Sequence, residues 1–261
     1  MSEKKALLVV SFGTSVPETR KKTIEALEAD LSAAFPDRIF YRAWTSGVIR
    51  KKLLRTENLT VDSVDEALER MAADGITDLL VQPTHMLIGE EYTKIVNAVR
   101  ANAGRFQRVA MGAPLLTTPE DLRSMAEAMK AACPQLKEDQ MFVWMGHGSE
   151  QMKDNVYVRL NELFAAEGVD NMLIGTVEYD PGFESVLERI RERKPRQVML
   201  APMMVVAGDH ALNDMSGDEP DSWKSQVAET GAEPVCILKG MGEYPAVRAM
   251  YAEHAKKAEV I

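Results

Sequence analysis

The residues best suited to chemistry stand just past short apolar runs. Val143-Trp144-Met145-Gly146-His147-Gly148-Ser149 ends an apolar run in a histidine held between two glycines. The glycines let the backbone turn sharply and leave the imidazole uncovered, as a ligand or a proton-transfer group requires. Glu178 follows the next apolar run and His210 follows the one after it. If the three runs are parallel strands of one sheet, these side chains emerge at its carboxyl edge, where open α/β sheets bind ligands. Two imidazoles and a carboxylate form a borderline donor set for first-row divalent ions such as Co²⁺, Fe²⁺, Ni²⁺ or Zn²⁺, with coordination positions left open. The spacing is too long for a local metal motif, so separate structural roles for the three remain the alternative.

The first half offers fewer such groups. His85 and the pair Glu90-Glu91 occupy a loop and helix start after an apolar run, where the carboxylates serve either as helix N-terminal charges or as proton acceptors. The pattern leaves open which of the two glutamates faces a substrate. Arg42, Arg50, Lys51, Lys52 and Arg55 cluster around Trp44-Thr45-Ser46-Gly47. They read either as a solvated helix face or as a docking surface for a polycarboxylate. His254, in the last helical segment, is expected on the surface. Met199, Met203, Met204 and Met215 are expected to line core and pocket rather than bind metal.

Elements that would position these groups alternate along the chain. Strands are expected at 5–12, 39–43, 76–82, 106–111, 141–145, 172–177, 198–201 and 234–238. Helices are expected at 18–34, 61–73, from after the loop 83–92 to about 103, 119–132, from about Met152 to 166, 183–193, 221–230 and 244–258, with a polar stretch from 211 to 220. Such alternation predicts an α/β protein with parallel sheets. The halves also resemble each other: residues 82–91 align with 201–210 without a gap, setting Glu91 against His210, while 9–15 align with 143–149 only if Phe12 is set against Gly146 or His147. Two lobes, 1–125 and 126–261, are therefore expected, with a ligand cleft between them.

Composition narrows the function. With 261 residues, 46% apolar and 27% charged, the chain has the makeup of a globular protein. Its formal charge of -9 argues against nucleic acid as the main partner, since phosphate neutralisation needs a basic face. No apolar run is long enough to span a membrane, and the N-terminus enters a strand pattern with no signal-peptide core, so a cytoplasmic location is expected. The two cysteines, Cys133 and Cys236, form no metal or redox motif and are expected to be packing residues. Oligomeric state stays open; a homo-oligomer is compatible with the pattern.

Nearly the whole chain resembles the anaerobic sirohydrochlorin cobalt chelatases, class II chelatases related to protoporphyrin ferrochelatase. The resemblance is carried by the segment from Ala6 to Ser15, by Thr45-Ser46-Gly47, Gly146-His147-Gly148 and Val177-Glu178, and above all by the block from Val206 to Met215 followed by Asp221-Ser222-Trp223-Lys224. It implies two Rossmann-like lobes and insertion of Co²⁺ into sirohydrochlorin or precorrin-2 with release of two protons, without an organic cofactor. By the same resemblance His147, Glu178 and His210 bind the metal, and His147, Glu178 and Glu91 are catalytic. Phe12, Thr14, Ser15, Trp44, Ser46 and His85, with Arg50 and Lys51 of the basic patch, contact the tetrapyrrole. An iron chelatase making sirohaem, or a tetrapyrrole or metal carrier, would use the same frame.

Overall fold

A computed structural model describes residues 3–148 and 155–261, so Ser149 and the expected helix start at Met152 lie outside the described residues. The chain forms two units. The first comprises Met1–Thr117 together with Pro245–Ile261, and the second Thr118–Tyr244.

In the first unit β1 (Lys5–Ser11) is buried from Ala6 onward, as its unbroken apolar run predicts. Helix α1 (Pro17–Arg20) starts with proline at its first position, where the missing N–H costs nothing. It runs through a π-helical turn, Lys21–Glu25, into α2 (Ala26–Ala34). Next come β2 (Ile39–Trp44), α3 (Gly47–Glu57) and α4 (Val64–Ala73), the last opened by a capping box between Ser63 and Glu66. β3 (Asp78–Pro83), α5 (Glu90–Asn102) and β4 (Arg108–Met111) follow. The sheet order is β2-β1-β3-β4, parallel throughout, and a two-residue strand β5 (Glu259–Val260) adds antiparallel to β4.

The second unit repeats the pattern. α6 (Pro119–Ala132), capped by Thr118 and Asp121, leads to β6 (Gln140–Gly146), α7 (Val156–Ala166), β7 (Met172–Thr176), α8 (Phe183–Arg193) and β8 (Gln197–Pro202). A π-helical turn, Ala211–Met215, precedes α9 (Trp223–Glu229) and β9 (Glu233–Cys236). Its sheet runs β7-β6-β8-β9, all parallel. Trp223 stacks on Phe183 with centroids 3.9 Å apart, inside a core that also holds Met141, Val143 and Met215.

Four expectations change. The division at 125/126 is replaced, because the last helix, α10 (Pro245–Lys256), returns to the first unit. There the Tyr251 hydroxyl donates to the Thr84 carbonyl at 2.8 Å and Arg248 pairs with Asp30 at 2.6 Å. The same return buries His254, expected on the surface, with its Nδ1 3.2 Å from the Ala113 carbonyl. Residues 47–57 form a helix that the expected element order leaves out, although one reading of the basic cluster is a solvated helix face; only Leu53 is buried in it, so no apolar stripe marks it in the sequence. The polar stretch after His210 is partly helical. Met203 and Met215 are core residues, Met199 is buried, and Met204 packs against the same core, as expected. No helix among the described residues is long and apolar enough to cross a membrane.

Tyr251 is fully buried, so Tyr251→Ala removes both its packing and its bond to Thr84. Loss of a buried ring of this size costs about 3–5 kcal/mol. Urea unfolding should register it as a lower midpoint; an unchanged midpoint would mean that α10 does not stabilise the first unit.

Candidate active site

The second sheet brings His147 and Glu178 together by extending its own ladder. β6 and β7 pair up to Gly146 and Thr176. Past the strand ends the Val177 N–H donates to the Gly146 carbonyl at 3.0 Å and the Glu178 N–H to the His147 carbonyl at 2.9 Å. Gly148, at φ +96°, lies against the Glu178 carbonyl so closely that a Cβ there would sit 1.7 Å from that oxygen. Only glycine tolerates both the backbone angle and the contact. The outcome is His147 Nδ1 4.0 Å from Glu178 Oε2, both side chains about half exposed.

His210 arrives from β8 by a longer route. The Met203 N–H donates to the Met145 carbonyl at 2.7 Å. The Met241 and Gly242 N–H groups then hold the carbonyls of Met204 and Val205. From this pinned loop the His210 ring meets the His147 ring edge to face, centroids 4.9 Å apart. His210 Nδ1 is 2.5 Å from Asp214 Oδ2, one turn later. A carboxylate only accepts hydrogen bonds, so in the neutral ring the proton lies on Nδ1 and Nε2 keeps its lone pair for a ligand. Asp214 was not foreseen, although a histidine and an aspartate four apart in a helical turn is a readable signal. Among the described residues no three His, Cys, Asp or Glu side chains already stand as a metal-holding group. The three expected donors therefore approach in pairs.

The first unit builds the same frame with other side chains. The Thr45 N–H donates to Ser11, the Ser46 N–H to Phe12 and the Thr84 N–H to Val10, matching the bonds made by Val177, Glu178 and Met203. Phe12 thus corresponds to His147 and Ser46 to Glu178. Phe12 is exposed, whereas Thr14 is buried and accepts from the Val16 N–H at 3.2 Å, and Ser15 is half-buried beside it. Ser46 caps α3 by accepting from the Ile49 N–H at 3.4 Å. Trp44, expected to touch the tetrapyrrole, is instead fully buried under Gly13 and supports that loop from below.

The basic patch is also smaller than its residue count suggests. Arg42 is neutralised by the buried Glu28, with Nε 2.7 Å from Oε1, and Arg50 by Glu66, while its Nε donates to the Val61 carbonyl at 2.8 Å. Arg50 is therefore not the free cation expected of it. Lys51, Lys52 and Arg55 remain exposed along α3.

Of the acidic pair, Glu90 is exposed while Glu91 is half-buried and bonded by Lys94 at 2.7 Å. Burial pushes the Glu91 carboxyl up, but the Lys94 bond and charge outweigh it and hold the group below the usual carboxylate range. The neighbouring His85 has both ring nitrogens buried without a hydrogen-bond partner, and burial lowers its pKa to about 4. Burial raises both thiols, Cys133 to about 12, which suits packing roles rather than nucleophiles.

The family follows from comparison with known proteins. Residues 5–260 match the profile of the cobalt chelatase (CbiK) family. The chain belongs to the cobalt chelatase family. A sirohydrochlorin cobaltochelatase of Salmonella typhimurium is 39% identical over 255 residues, covering 98% of this chain and 96% of that protein. Sirohydrochlorin cobaltochelatase CbiKC of Nitratidesulfovibrio vulgaris is 31% identical over 260 residues, covering 98% and 90%. In fold, this cobalt chelatase is similar to SirB from Bacillus subtilis, solved with Fe³⁺, at 15% identity with a TM-score of 0.64, covering 97% of this chain and 95% of that one. DR2241 from Deinococcus radiodurans, a multi-domain protein with structural similarity to chelatases, gives 12% identity and a TM-score of 0.63 over all of this chain and 58% of its own.

His85 sets a pH dependence of stability. Its pKa is about 4 folded against 6.5 unperturbed, so between these values the unfolded chain binds more protons. The stability it contributes is complete above 6.5 and is lost as pH falls toward 4, roughly 3 kcal/mol at ~1.4 kcal/mol per unit. Urea midpoints for wild type and His85→Leu measured from pH 7 to pH 4 should diverge, the variant having the shallower decline. Parallel declines would exclude His85 as the source.

Proposed function

We propose that the chain inserts Co²⁺ into sirohydrochlorin, releasing the two pyrrole protons, at the edge of the second sheet where His147 meets Glu178 and His210. The observation that carries this reading is that pairing: Nδ1 to Oε2 at 4.0 Å and ring to ring at 4.9 Å, on residues far apart in sequence. Substrate Co²⁺ draws the three half-open donors onto one centre by side-chain rotation. Three protein donors replace part of the ion's water and leave the remaining positions for the macrocycle nitrogens. A half-exposed, incompletely gathered set holds the ion weakly enough to give it up.

Charge balance sets the rest of the chemistry. One divalent ion enters as two protons leave, so the macrocycle changes charge little if acceptors stand ready. As the metal departs, His147 and Glu178 are freed to take those protons. Asp214 keeps the His210 tether in place throughout. Glu91 is the first unit's candidate acceptor, and its low proton affinity makes it a secondary one. Lys51 and Lys52 provide cations for the substrate's carboxylates. Fe²⁺, Ni²⁺ and Zn²⁺ suit the same donors and should compete with Co²⁺.

A visible-spectrum assay with sirohydrochlorin and Co²⁺ tests this. Wild type should turn over many times, His147→Ala and His210→Ala should lose at least a hundredfold in kcat/KM, and Asp214→Asn should lose about 10–100-fold. A spectral change limited to one equivalent of protein would overturn catalysis. Lys51→Glu should raise KM for the tetrapyrrole severalfold at low salt and leave KM for Co²⁺ alone. A tetrapyrrole KM indifferent to this change and to salt would remove α3 from the binding surface.

A further inference from the structure

We propose that Tyr157 and Asn155, at the start of α7, are positioning residues that hold His147 and Glu178 at the spacing cobalt requires. The inference rests on the reading of these two residues as metal donors.

Tyr157 is buried against the His147 loop. Gly146 lets its ring lie on the backbone, since a Cβ there would come within 2.3 Å of Tyr157 Cε1. From that position the hydroxyl oxygen accepts the Gly148 N–H at 3.3 Å, and the His147 N–H bears on the same oxygen. A loop whose carbonyls are used by the neighbouring strand extension thus has its Gly148 N–H satisfied by the phenol. Rotation of the loop would break both sets of bonds.

Asn155 reaches the other donor's loop. Its Oδ1 caps α7 by accepting from the N–H groups of Tyr157 at 3.0 Å and Val158 at 3.4 Å, while its Nδ2 donates to the Asp180 carbonyl at 2.6 Å. Asp180 lies two residues beyond Glu178, in a turn that carries Tyr179 at φ +63°. The Thr176 hydroxyl bonds the same turn at the carbonyls of Tyr179 and Pro181. One helix start therefore grips both loops, and their separation is set by the rigid distance between two of its residues. Neither residue touches the reacting atoms. Their effect passes through the donors they place, as partners outside the ligand set commonly tune metal affinity by 10–100-fold.

Tyr157→Phe keeps the ring over Gly146 and deletes the hydroxyl. Asn155→Ser keeps a capping oxygen and loses the amide donor. For each, KM for Co²⁺, KM for sirohydrochlorin and the visible bands of Co²⁺ bound to protein alone are measured well below the melting temperature, beside His147→Ala. Both variants should raise KM for Co²⁺ about tenfold, leave KM for sirohydrochlorin within twofold and shift the Co²⁺ bands. Values within twofold of wild type on every count, with Co²⁺ binding lost in His147→Ala, would overturn the positioning role and leave the metal site intact. A fall in kcat with no selective change in KM for Co²⁺ would also overturn it, marking the bonds as structural only. Unaltered Co²⁺ binding in His147→Ala would instead overturn the site reading and this inference with it. If Tyr157→Phe does not fold, Asn155→Ser decides by the same criteria.

Discussion

Two backbone hydrogen bonds, from Val177 to Gly146 and from Glu178 to His147, continue a parallel ladder beyond the last paired residues of its strands. The candidate site depends on that continuation. A ladder fixes neighbouring backbones about 5 Å apart, so side chains at its end become neighbours without any direct attraction between them. Gly148 makes it possible by allowing the two backbones to touch. A side chain at that position would push the Glu178 loop away and separate the donors. The site is thus primarily a property of backbone packing, on which modest side-chain contacts are superimposed.

The two units use one backbone solution for different ends. Corresponding bonds at Ser11, Phe12 and Val10 show that the first unit retains the frame, but it presents an exposed phenylalanine and a helix-capping serine where the second unit presents a histidine and a glutamate. Phenylalanine offers an apolar face and no lone pair, which suits contact with a flat macrocycle better than contact with an ion. The histidine and carboxylate of this shared frame therefore stand in the second unit. His85, also in the first unit, has both ring nitrogens buried without a partner, and desolvation keeps its ring neutral.

Charge placement follows similar logic. An acidic chain that handles a polycarboxylate must keep some cations free, yet its arginines are largely committed to internal pairs such as Arg42 with Glu28, Arg50 with Glu66 and Arg38 with Asp78. Glu28 and Asp78 are buried, and a buried carboxylate left unpaired is costly, so these two hold their arginines in place. Lys51, Lys52 and Arg55 stay exposed on α3. Counting basic residues in a window overstates the patch for this reason.

The sequence by itself determined the alternation of strands and helices, the parallel sheets, the duplication and the candidates His147, Glu178 and His210. Each is written locally, as apolar runs of strand length, glycines at turns and donors just past strand ends. Only the tertiary structure decided that α10 returns to the first unit, that Trp44 lies beneath its loop rather than in it, that Arg50 is already paired, and that Tyr157 and Asn155 bond the loops that carry His147 and Glu178. These depend on which distant groups meet, and pairing energies between groups many residues apart leave no periodic mark on the chain. Strand ends can be read from a sequence because burial is periodic; the partners that orient what the strands carry cannot, because contact is not.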